Sequence, residues 1–560
     1  MDPLPNAFSA LETRFYKDNS YVNLAKPLVE LEMTALSANL RSKSSWWTKF
    51  RDQDILKKWR AEALGQARQM KESHVDYVLN ELSGYAKLRD EETGAEVSCY
   101  DCIWQSDKLV SSTLKAKLVE GVADLENVLE SEKDWHPRSN NIVLDLVHPS
   151  LYPVVYGRTL AYPEGCTDHD ATKLEAIPPP PLLQPRSIFT WSTEYYNYHQ
   201  SQKFRWLPTD FVVSEDGKSV KSVSYINNLN PDQHAELHNA IEGLIGAFIP
   251  LFERVLTDLI PSNQAVPART NNSYEYNRRN TPEPEFRIDF NNNESREWNK
   301  LYEEWAANRP IELPNVPSEG YVSGTLEKRD IWYSLAGKTI QVIVKLANIH
   351  LTPEKSEYAG GSWHIEGMSN EAIAASGIYY YSEENITESQ LAFRTAACIP
   401  NDYEQDDERG CRLTWGISRD EPCVNELGAI VTCQDRTIAF PNVYQHKVSP
   451  FELRDKTKPG HRKIVALFLV DPAIHRPSTT RVPPQQQDWR ATAVSSNKAL
   501  KGAFNKLAPE IIDRVNLFAG GTMTLEEAKR YRIELMDERK AFVAQNDSRF
   551  FNVAFNMCEH

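Results

Sequence analysis

The feature that most constrains the fold is a series of apolar, strand-like segments between about Tyr321 and Asp471. Residues of high β-propensity recur there in short blocks that polar loops separate, which is typical of β-strands. Helical patterns lie on both sides of this stretch. The sequence therefore predicts a β core near residues 320–475 with helices over one face. The predicted strands are Thr339 to Ile349, Ala375 to Tyr381, Ala429 to Phe440 and Lys463 to Val470.

The segments that flank the β core have helical periodicity. Apolar residues recur at three- and four-residue spacing between Trp46 and Leu88, which predicts amphipathic helices. Asn230 is typical of a helix start, and Pro250 predicts that this helix ends or kinks. Thr524, with Glu527 three residues later, is a capping-box arrangement that predicts the start of a C-terminal helix.

These patterns divide the chain into four regions that we expect to form one integrated α+β domain. Strand-like pieces and the tract Pro178–Pro181 set the second region apart from the first, because consecutive prolines favour an extended connector. The predicted regions are a helical N-terminal region (1–135), a mixed elaboration packed on the core (136–319), the β core (320–475) and a helical C-terminal extension (476–560).

The composition narrows the class of protein. A net charge of −15 argues against nonspecific nucleic-acid binding, which needs a basic surface to displace phosphate counterions. The longest apolar run, Ile464 to Val470, has seven residues, whereas a membrane-spanning helix needs roughly 20. The first residues have no signal-peptide pattern, and the eight cysteines are scattered. We therefore expect a cytoplasmic protein with reduced thiols and no membrane partner; the oligomeric state stays open.

A triplet inside the β-rich stretch carries the strongest chemical signal. His364 and Glu366 are two residues apart, so both point to one face of a strand. His446 follows in a segment that predicts strand, turn and strand. Two imidazoles and one carboxylate on one octahedral face are the ligand set of non-haem Fe(II) with open positions. The triplet alone occurs by chance, and its weight comes from the distant histidine in the same stretch.

Arg462 begins the most apolar predicted strand and follows Pro459 and Gly460. An inward-pointing arginine there needs a buried anion, and a guanidinium can hold a carboxylate through two charge-assisted hydrogen bonds. The far carboxylate of 2-oxoglutarate is the anion that this pattern predicts. The alternative is that Arg462 faces solvent together with His461 and Lys463.

Two other motifs are weaker. His234 and His238 lie four residues apart on a predicted helix, but the acidic residue between them is not adjacent to the first histidine, as a zincin requires. An exposed helix surface is the better interpretation. Cys99 and Cys102 form a lone CxxC without a second pair at zinc-finger spacing, so a structural zinc or redox role is disfavoured.

Longer motifs around these residues resemble a known family. The chain is similar over most of its length to the fungal proteins catalogued as domain of unknown function 4246, which in turn resemble the Fe(II)/2-oxoglutarate-dependent oxygenase superfamily. One departure is Glu366, because most of that superfamily has Asp at this position. The motifs are Ser362-Trp363-His364-Ile365-Glu366-Gly367-Met368-Ser369-Asn370-Glu371, Ile378-Tyr379-Tyr380-Tyr381 through Glu384-Asn385-Ile386-Thr387, Phe440-Pro441-Asn442-Val443-Tyr444-Gln445-His446-Lys447-Val448 and Pro459-Gly460-His461-Arg462-Lys463.

The resemblance implies a double-stranded β-helix core of the jelly-roll or cupin type, with extensive helical additions at both ends. It implies that His364, Glu366 and His446 hold Fe(II), that Arg462 holds 2-oxoglutarate, and that dioxygen is consumed. The superfamily also places a cosubstrate contact on the strand that carries Lys345 and Asn348, which are further candidates.

The implied activity is oxidation of a substrate C–H bond by hydroxylation, desaturation or oxidative cyclisation. A small molecule is the expected substrate, and the fungal resemblance favours an amino acid or a secondary-metabolite intermediate. Candidate substrate contacts are Tyr379, Tyr381 and Arg394, although core packing of the tyrosines and a structural ion pair of the arginine are the simpler interpretations. The alternatives are a protein hydroxylase and a non-catalytic jelly-roll protein that binds a metal or ligand.

Overall fold

The structure is a computed structural model whose described part is a mixed α/β fold. Every strand pair in its sheets is antiparallel. In two helices only the backbone is described at some positions (292–296, 491 and 493–496). The described residues are 4–8, 25–167, 170–183, 197–263, 268–276, 281–285, 292–400, 403–404, 406–496, 508, 511 and 521–557.

Helices occur before, between and after the strands of the core. In the described residues they are α1 (Leu28–Arg41), α2 (Trp46–Lys49), α3 (Gln53–Gln66), α4 (Glu72–Leu88), α5 (Ser112–Glu126), α6 (Ala235–Leu259), α7 (Asn292–Asn308), α8 (Glu408–Trp415), α9 (Gln487–Ser496) and α10 (Leu525–Asn546).

The strands fall into an N-terminal group of short strands and a C-terminal group of longer ones. The first group is β1 (Glu96–Val97), β2 (Trp104–Ser106), β3 (Val143–Val147), β4 (Val154–Val155), β5 (Leu160–Ala161), β6 (Glu175–Ala176), β7 (Phe204–Arg205), β8 (Thr209–Val213), β9 (Val220–Ser222), β10 (Glu275–Tyr276) and β11 (Ile311–Glu312). The second group is β12 (Thr339–Leu351), β13 (Glu357–Tyr358), β14 (Ile373–Glu384), β15 (Ser389–Ala396), β16 (Val424–Thr432), β17 (Thr437–Pro441), β18 (Gln445–Val448), β19 (Phe451–Glu452) and β20 (Gly460–Val470).

The core is a large sheet with the strand order β1-β2-β17-β14-β20-β12-β8-β9, and β3 pairs with the edge of β12. Alternation along β20 shows how its two faces differ. Val465, Leu467 and Leu469 belong to the cluster that contains the apolar face of α6. Ala466 and Phe468 belong to a second cluster on the opposite face. The large sheet is therefore covered by helices on one face and by other strands on the second face.

A smaller sheet with the order β16-β15-β18 lies against the second face of the large sheet. Phe393 of β15 packs edge-on against Phe440 of β17, with ring centroids 5.0 Å apart. Leu391 and Leu427 of the small sheet belong to the same cluster as Ile378 of the large sheet. The space between the two sheets is thus walled by apolar side chains.

Three sequence predictions about these elements need correction or refinement. Pro250 does not end its helix, because α6 continues to Leu259. The residue four positions before it is Gly246, and burial of most of α6 offsets the hydrogen bond that proline cannot make. The segment from Ala429 to Phe440 belongs to two strands, β16 and β17, rather than one. The first region also contains the hairpin β1–β2 in addition to helices.

The predicted cap of the C-terminal helix is confirmed, since the Thr524 hydroxyl accepts a hydrogen bond from the Glu527 backbone N–H at 3.1 Å. None of the helices in the described residues combines the length and the apolar character that a bilayer span demands.

Candidate metal centre

His364 and His446 face each other across a short antiparallel bridge at the edge of the small sheet. The His364 backbone N–H donates to the His446 carbonyl at 3.2 Å, and the His446 N–H donates to the His364 carbonyl at 3.0 Å. His446 lies on β18, and its register partner on β15 is Phe393. This bridge places residues that are 82 positions apart in the sequence at adjacent points of one surface.

The three candidate ligand side chains converge. Glu366 Oε1 lies 3.7 Å from His364 Nε2 and 3.4 Å from His446 Nε2. Ligand atoms that hold one ion at about 2.1 Å on adjacent corners are separated by about 3 Å, so these distances fit one shared ion. The His446 side chain is 4% exposed and the His364 side chain 32% exposed. The group is therefore open on the side of His364.

The protonation of the imidazoles suits metal binding. His364 Nδ1 lies 2.8 Å from the Ser362 carbonyl oxygen, which can only accept a hydrogen bond, so Nδ1 carries a proton and the neutral imidazole has its lone pair on Nε2, where a metal ion can bind. His446 Nδ1 is buried without a hydrogen-bond partner among the described residues. The tautomer of His446 is therefore determined by the group or ion that binds its Nε2. The donor chemistry of the three side chains fits a divalent iron ion.

Burial and mutual charge shift the three pKa values in different directions. Burial opposes ionisation of Glu366, but hydrogen bonds from both histidines outweigh it and hold the pKa of this carboxyl well below its ordinary value. Burial also opposes protonation of His364, yet the hydrogen bond and charge of Glu366 raise its pKa. Burial, with the charge of His364, lowers the pKa of His446 to about 4. The carboxylate is thus ionised and His446 is neutral near neutral pH.

Two neighbouring side chains fix the segment that carries Glu366. The Asn442 side chain accepts from the Glu366 backbone N–H at 2.9 Å and donates to the Glu366 carbonyl at 2.9 Å. The buried Glu371 carboxylate accepts from the Met368 backbone N–H at 2.6 Å and pairs with Arg539 at 2.6 Å. Asn442 and Glu371 occur in the family motifs, but their positioning roles were not apparent from the sequence because both depend on contacts with distant segments.

Arg462 points into the protein, and the solvent-facing alternative is wrong. It is 2% exposed and lies on the face of β20 that meets the small sheet. It donates to Ser389 Oγ at 3.0 Å and pairs with Glu383 Oε2 at 3.1 Å. The buried anion that the sequence required is thus already supplied by the chain. Ser389 lies four residues along β15 from Phe393, the register partner of His446. Four residues correspond to about 13 Å of strand.

Lys345 lies on the same face of the large sheet, opposite Ala466 of β20. It is half-buried and makes no hydrogen bond or ion pair with any described residue. Its charge acts on both His364 and His446 and opposes their protonation. Asn348 points to the helix-covered face instead, where it donates to Glu126 at 2.6 Å and accepts from the Tyr381 hydroxyl at 3.0 Å. The structure brings Lys345 near the candidate ligands but not Asn348.

The structure places Tyr379 and Tyr381 away from the candidate metal centre, whereas Arg394 lies beside it, 4.7 Å over the Trp363 ring and hydrogen-bonded to Gln445 at 2.7 Å. Tyr379 and Tyr381 belong to the cluster on the helix-covered face, whereas Tyr380 belongs to the cluster between the sheets and lies under the Arg462 guanidinium. Strand alternation predicted that Tyr380 lies on the opposite face from Tyr379 and Tyr381. It did not predict which of the two faces meets the helices. Arg394 pairs with Asp547 at 2.5 Å, the structural ion pair that was the simpler interpretation.

Of the two weaker motifs, neither forms a metal-ligating group in the part of the chain that the structure describes. His238 is buried, and its Nε2 lies 3.2 Å from the Leu229 carbonyl, so the expectation of an exposed helix surface is wrong for this residue. Cys99 and Cys102 are free thiols. A second group of possible ligands, missed in the sequence, consists of His136, Asp145 and His148.

Comparison with known families identifies a match over most of the chain. Residues 72–493 match the family described as "Protein of unknown function (DUF4246)", and residues 6–62 match "Domain of unknown function DUF4246, N-terminal". No curated protein matches the chain.

Several solved structures show distant likeness. A bsmA homolog from Methylobium petroleophilum PM1 is 11% identical with a TM-score of 0.15, over 24% of this chain and 43% of that one. The Fe(II)/α-ketoglutarate-dependent dioxygenase TqaL is 12% identical with a TM-score of 0.21, over 49% and 70%. Oxalate decarboxylase from Lactobacillus farciminis is 12% identical with a TM-score of 0.11, over 38% and 55%. Such TM-scores carry no argument about function.

Proposed function

The chain belongs to the DUF4246 family, and from that premise we propose that it is an Fe(II)- and 2-oxoglutarate-dependent oxygenase that oxidises a C–H bond of a small molecule. The observation that carries the proposal is the convergence of His364, Glu366 and His446. One carboxylate oxygen lies within 3.7 Å of two imidazole nitrogens on an open side of the core. Two imidazoles and a carboxylate leave three positions of an octahedral ion for other ligands.

The order of the strands supports a jelly-roll, or double-stranded β-helix, core for this function. The chain passes back and forth between the two sheets: β12 and β14 belong to the large sheet, β15 and β16 to the small one, β17 to the large one, β18 to the small one and β20 to the large one. Within the large sheet these strands have the order β12-β20-β14-β17. Alternation of this kind is the pattern of a double-sheet jelly roll, which includes the cupins. The candidate ligands lie at the edge where β18 meets the bridge to His364.

The cosubstrate needs a cation for its distal carboxylate, and the structure offers two. Arg462 is the first choice from the sequence, but its guanidinium already pairs with Glu383. Lys345 has no partner among the described residues, and its charge acts on both candidate histidine ligands. An unpaired ammonium in a half-buried position is stabilised by an incoming carboxylate. We therefore assign Lys345 the distal carboxylate in this proposal and leave Arg462 as the alternative.

When bound, iron would supply the open positions for a 2-oxo acid and dioxygen and the oxidising power for C–H cleavage. The chain's own part is to hold and orient. Glu366 and His446 supply ionised and neutral ligand atoms near neutral pH. Phe393 and Phe440 place aromatic rings beside His446 and keep water from that side of the centre. Lys345 would orient the cosubstrate by its distal end.

Anaerobic Fe(II) titration followed by a succinate-release assay with 2-oxoglutarate tests the proposal. Wild-type protein should bind one Fe(II) per chain, and His364→Ala should lose both binding and succinate release. His475, which is exposed and outside the centre, provides the matched control His475→Ala with unchanged behaviour. Wild-type protein that binds no iron would overturn the proposal, and so would unchanged turnover in His364→Ala.

The two candidate anchors can be separated by their neutral variants. Loss of one charge-assisted hydrogen-bonding partner costs about 1.5–3 kcal/mol, so Lys345→Met should raise the KM for 2-oxoglutarate about 10- to 100-fold while Fe(II) binding stays intact. Arg462→Met should instead destabilise the fold, since it leaves Glu383 without its partner. A KM effect confined to Arg462→Met would reverse the assignment.

The same assays distinguish the alternatives. Iron binding without succinate release in the presence of any metabolite would indicate a non-catalytic jelly-roll metal-binding protein. Succinate release that only a protein substrate stimulates would indicate a protein hydroxylase. The expectation of an amino acid or a secondary-metabolite intermediate derives from the family resemblance, and a metabolite screen for stimulated succinate release tests it.

A further inference from the structure

A polar pocket of about 250 Å³ lies beside β3, apart from the candidate metal centre. Segments from four parts of the chain line it: the region around Asp145 and His148, Asn228, the residues Gln486 to Trp489, and the first turns of α10. None of His364, Glu366 and His446 lines this pocket. A ligand of this pocket would therefore not contact the candidate metal ligands.

At the base of the pocket Gln486 presents a buried acceptor without a partner. Gln486 is 2% exposed, and its Nε2 lies 3.4 Å from the side-chain oxygens of Asn227 and Asn228. The amide nitrogens of both asparagines already donate to backbone carbonyls, so their oxygens are acceptors and the Gln486 amide nitrogen must face them. This fixes Gln486 Oε1 as an acceptor, and it has no hydrogen-bond partner.

Asp145 adds a second unpartnered acceptor to the pocket lining. Asp145 is 4% exposed, and its Oδ2 lies 2.8 Å from His136 Nδ1. Its Oδ1 is buried without a hydrogen-bond partner. Buried polar atoms in proteins are nearly always paired, and two unpaired acceptors in one pocket indicate a ligand that donates hydrogen bonds.

The charges around the pocket favour a cationic donor. Four carboxylates line it, and Asp134 among them is paired with Arg532 at 2.6 Å and with Lys529 at 3.8 Å. The exposed carboxylates of Glu132 and Asp488 form no ion pair with any described residue. The two unpaired carboxylates at the rim and the two unpaired acceptors at the base attract a positive charge into the pocket.

A metal ion fits this pocket less well than an organic cation. His148 Nδ1 accepts a hydrogen bond from the Ser150 backbone N–H at 3.1 Å, so a neutral His148 carries its proton on Nε2 and has no free lone pair for a metal. Arg532 lies 3.7 Å from Asp145 Oδ2 and would repel a divalent ion more than a monovalent one. The rings of Tyr152 and Trp489 also line the pocket, and aromatic rings attract organic ammonium groups.

We propose that this pocket binds a small primary ammonium ion, which donates to Gln486 Oε1 and Asp145 Oδ1 beneath the carboxylates of Glu132 and Asp488. Isothermal titration calorimetry of the full chain with ethanolamine at neutral pH and constant ionic strength tests it. Saturable binding is expected for ethanolamine, and none is expected for ethylene glycol, which has a similar size but no charge.

Two variants assign the binding to this pocket. Gln486→Leu removes the buried acceptor and should weaken ethanolamine binding at least tenfold. Asp488→Asn changes only an exposed rim carboxylate and should weaken binding about threefold, so the test survives if Gln486→Leu does not fold. Glu91→Gln removes an exposed carboxylate elsewhere and should leave binding unchanged.

Three results would overturn the proposal. They are the absence of saturable ethanolamine binding, equal binding of ethylene glycol, and ethanolamine binding that neither pocket variant weakens. A further arm uses Mn²⁺ alone. Saturable Mn²⁺ binding that Asp145→Asn abolishes, with ethanolamine silent, would replace the organic cation with a metal ion.

Discussion

At the scale of single residues, the position of Glu366 depends on the side-chain amide of Asn442, which is not itself a candidate metal ligand. Asn442 holds both the backbone N–H and the carbonyl of Glu366. It also donates to the Ile373 carbonyl at 3.3 Å, which ties the ligand segment to the start of β14. Glutamate has a longer and more flexible side chain than aspartate, so the backbone of Glu366 must be held firmly for the carboxylate to meet both imidazoles.

We expect Asn442→Ala to weaken Fe(II) binding about 10- to 100-fold, the usual cost of losing a residue that orients a metal ligand. The protein should still fold, because the three ligands and the strands that carry them remain. Anaerobic titration with Fe(II), monitored beside circular dichroism, measures both. Wild-type affinity in a folded Asn442→Ala variant would show that the strand bridge alone positions Glu366.

A second residue-scale prediction concerns acid stability. Burial lowers the pKa of His148 to about 3, and the charges of Lys345, His136 and Arg532 add to this effect against the opposing charge of Asp145. The unfolded chain has a histidine pKa of about 6.5. Between these values the unfolded state binds more protons, so the free energy of unfolding falls as the pH is lowered from 6.5 towards 3.

His148→Asn should flatten this dependence, because asparagine does not titrate and its side-chain oxygen can still accept from the Ser150 N–H. Between pH 7 and pH 4 the wild type should lose on the order of 3 kcal/mol more than the variant. Urea unfolding at each pH measures the difference. The exposed control His475→Asn should keep the wild-type slope, and identical slopes in all three proteins would contradict the prediction.

At the scale of elements, the contact between α6 and the large sheet depends on one glycine. Gly377 lies in the middle of β14, between partners on β17 and β20. A Cβ at this position would lie 2.7 Å from Phe248 and 3.0 Å from Phe252 of α6. The absence of a side chain therefore lets the helix lie directly on the strand, and the two phenylalanine rings fill the space.

We expect Gly377→Ala to destabilise the protein by about 1–3 kcal/mol, the usual cost of overpacking a core. The matched control is Gly65→Ala in α3, where nothing lies within 4 Å of the added methyl group. That change should stabilise by about 0.5–1 kcal/mol, because alanine loses less entropy in a helix. Urea unfolding of both variants measures these changes in the free energy of unfolding. A Gly377→Ala variant that is as stable as the wild type, or more stable, would show that α6 can shift to make room for the methyl group.

At the scale of the whole molecule, the C-terminal helix is attached to the segments that carry the candidate metal centre. Arg539 of α10 pairs with Glu371, whose side chain is fully buried and holds the segment that follows Glu366. Asp547, just beyond α10, pairs with Arg394 of β15. The last described residues are thus attached to both sides of the candidate site, although they are far from it in sequence.

Arg539→Met should cost about 3–5 kcal/mol of stability, because it leaves a buried carboxylate without its partner. It should also weaken Fe(II) binding, since the segment from Gly367 to Glu371 loses its anchor. The control is Arg138→Met, which breaks the pair with Asp537 on the same helix. Both of those side chains are more than half exposed, so its cost should be about 0–1 kcal/mol. Equal losses in the two variants would contradict this account.

The sequence by itself determined the features that depend on neighbouring residues. Apolar blocks predicted the strands of the β core, and β12, β14 and β20 extend each predicted segment by only a few residues. The cap at Thr524 was predicted from a spacing of three residues. The combination of His364, Glu366 and His446 predicted a metal centre, since ligand chemistry depends on side-chain type and the strand period places i and i+2 on one face.

Only the tertiary structure decided which face of each strand meets which partner. Period-two alternation separates Tyr380 from its neighbours, but contacts with α6 and the small sheet determine that Tyr380 alone faces the space between the two sheets. Arg462 was correctly expected to need an anion, yet its partner Glu383 lies on another strand. Lys345 is our proposed anchor for the cosubstrate carboxylate because it makes no hydrogen bond or ion pair with any described residue. Such pairings join residues that are dozens to hundreds of positions apart, and local propensity contains no information about them.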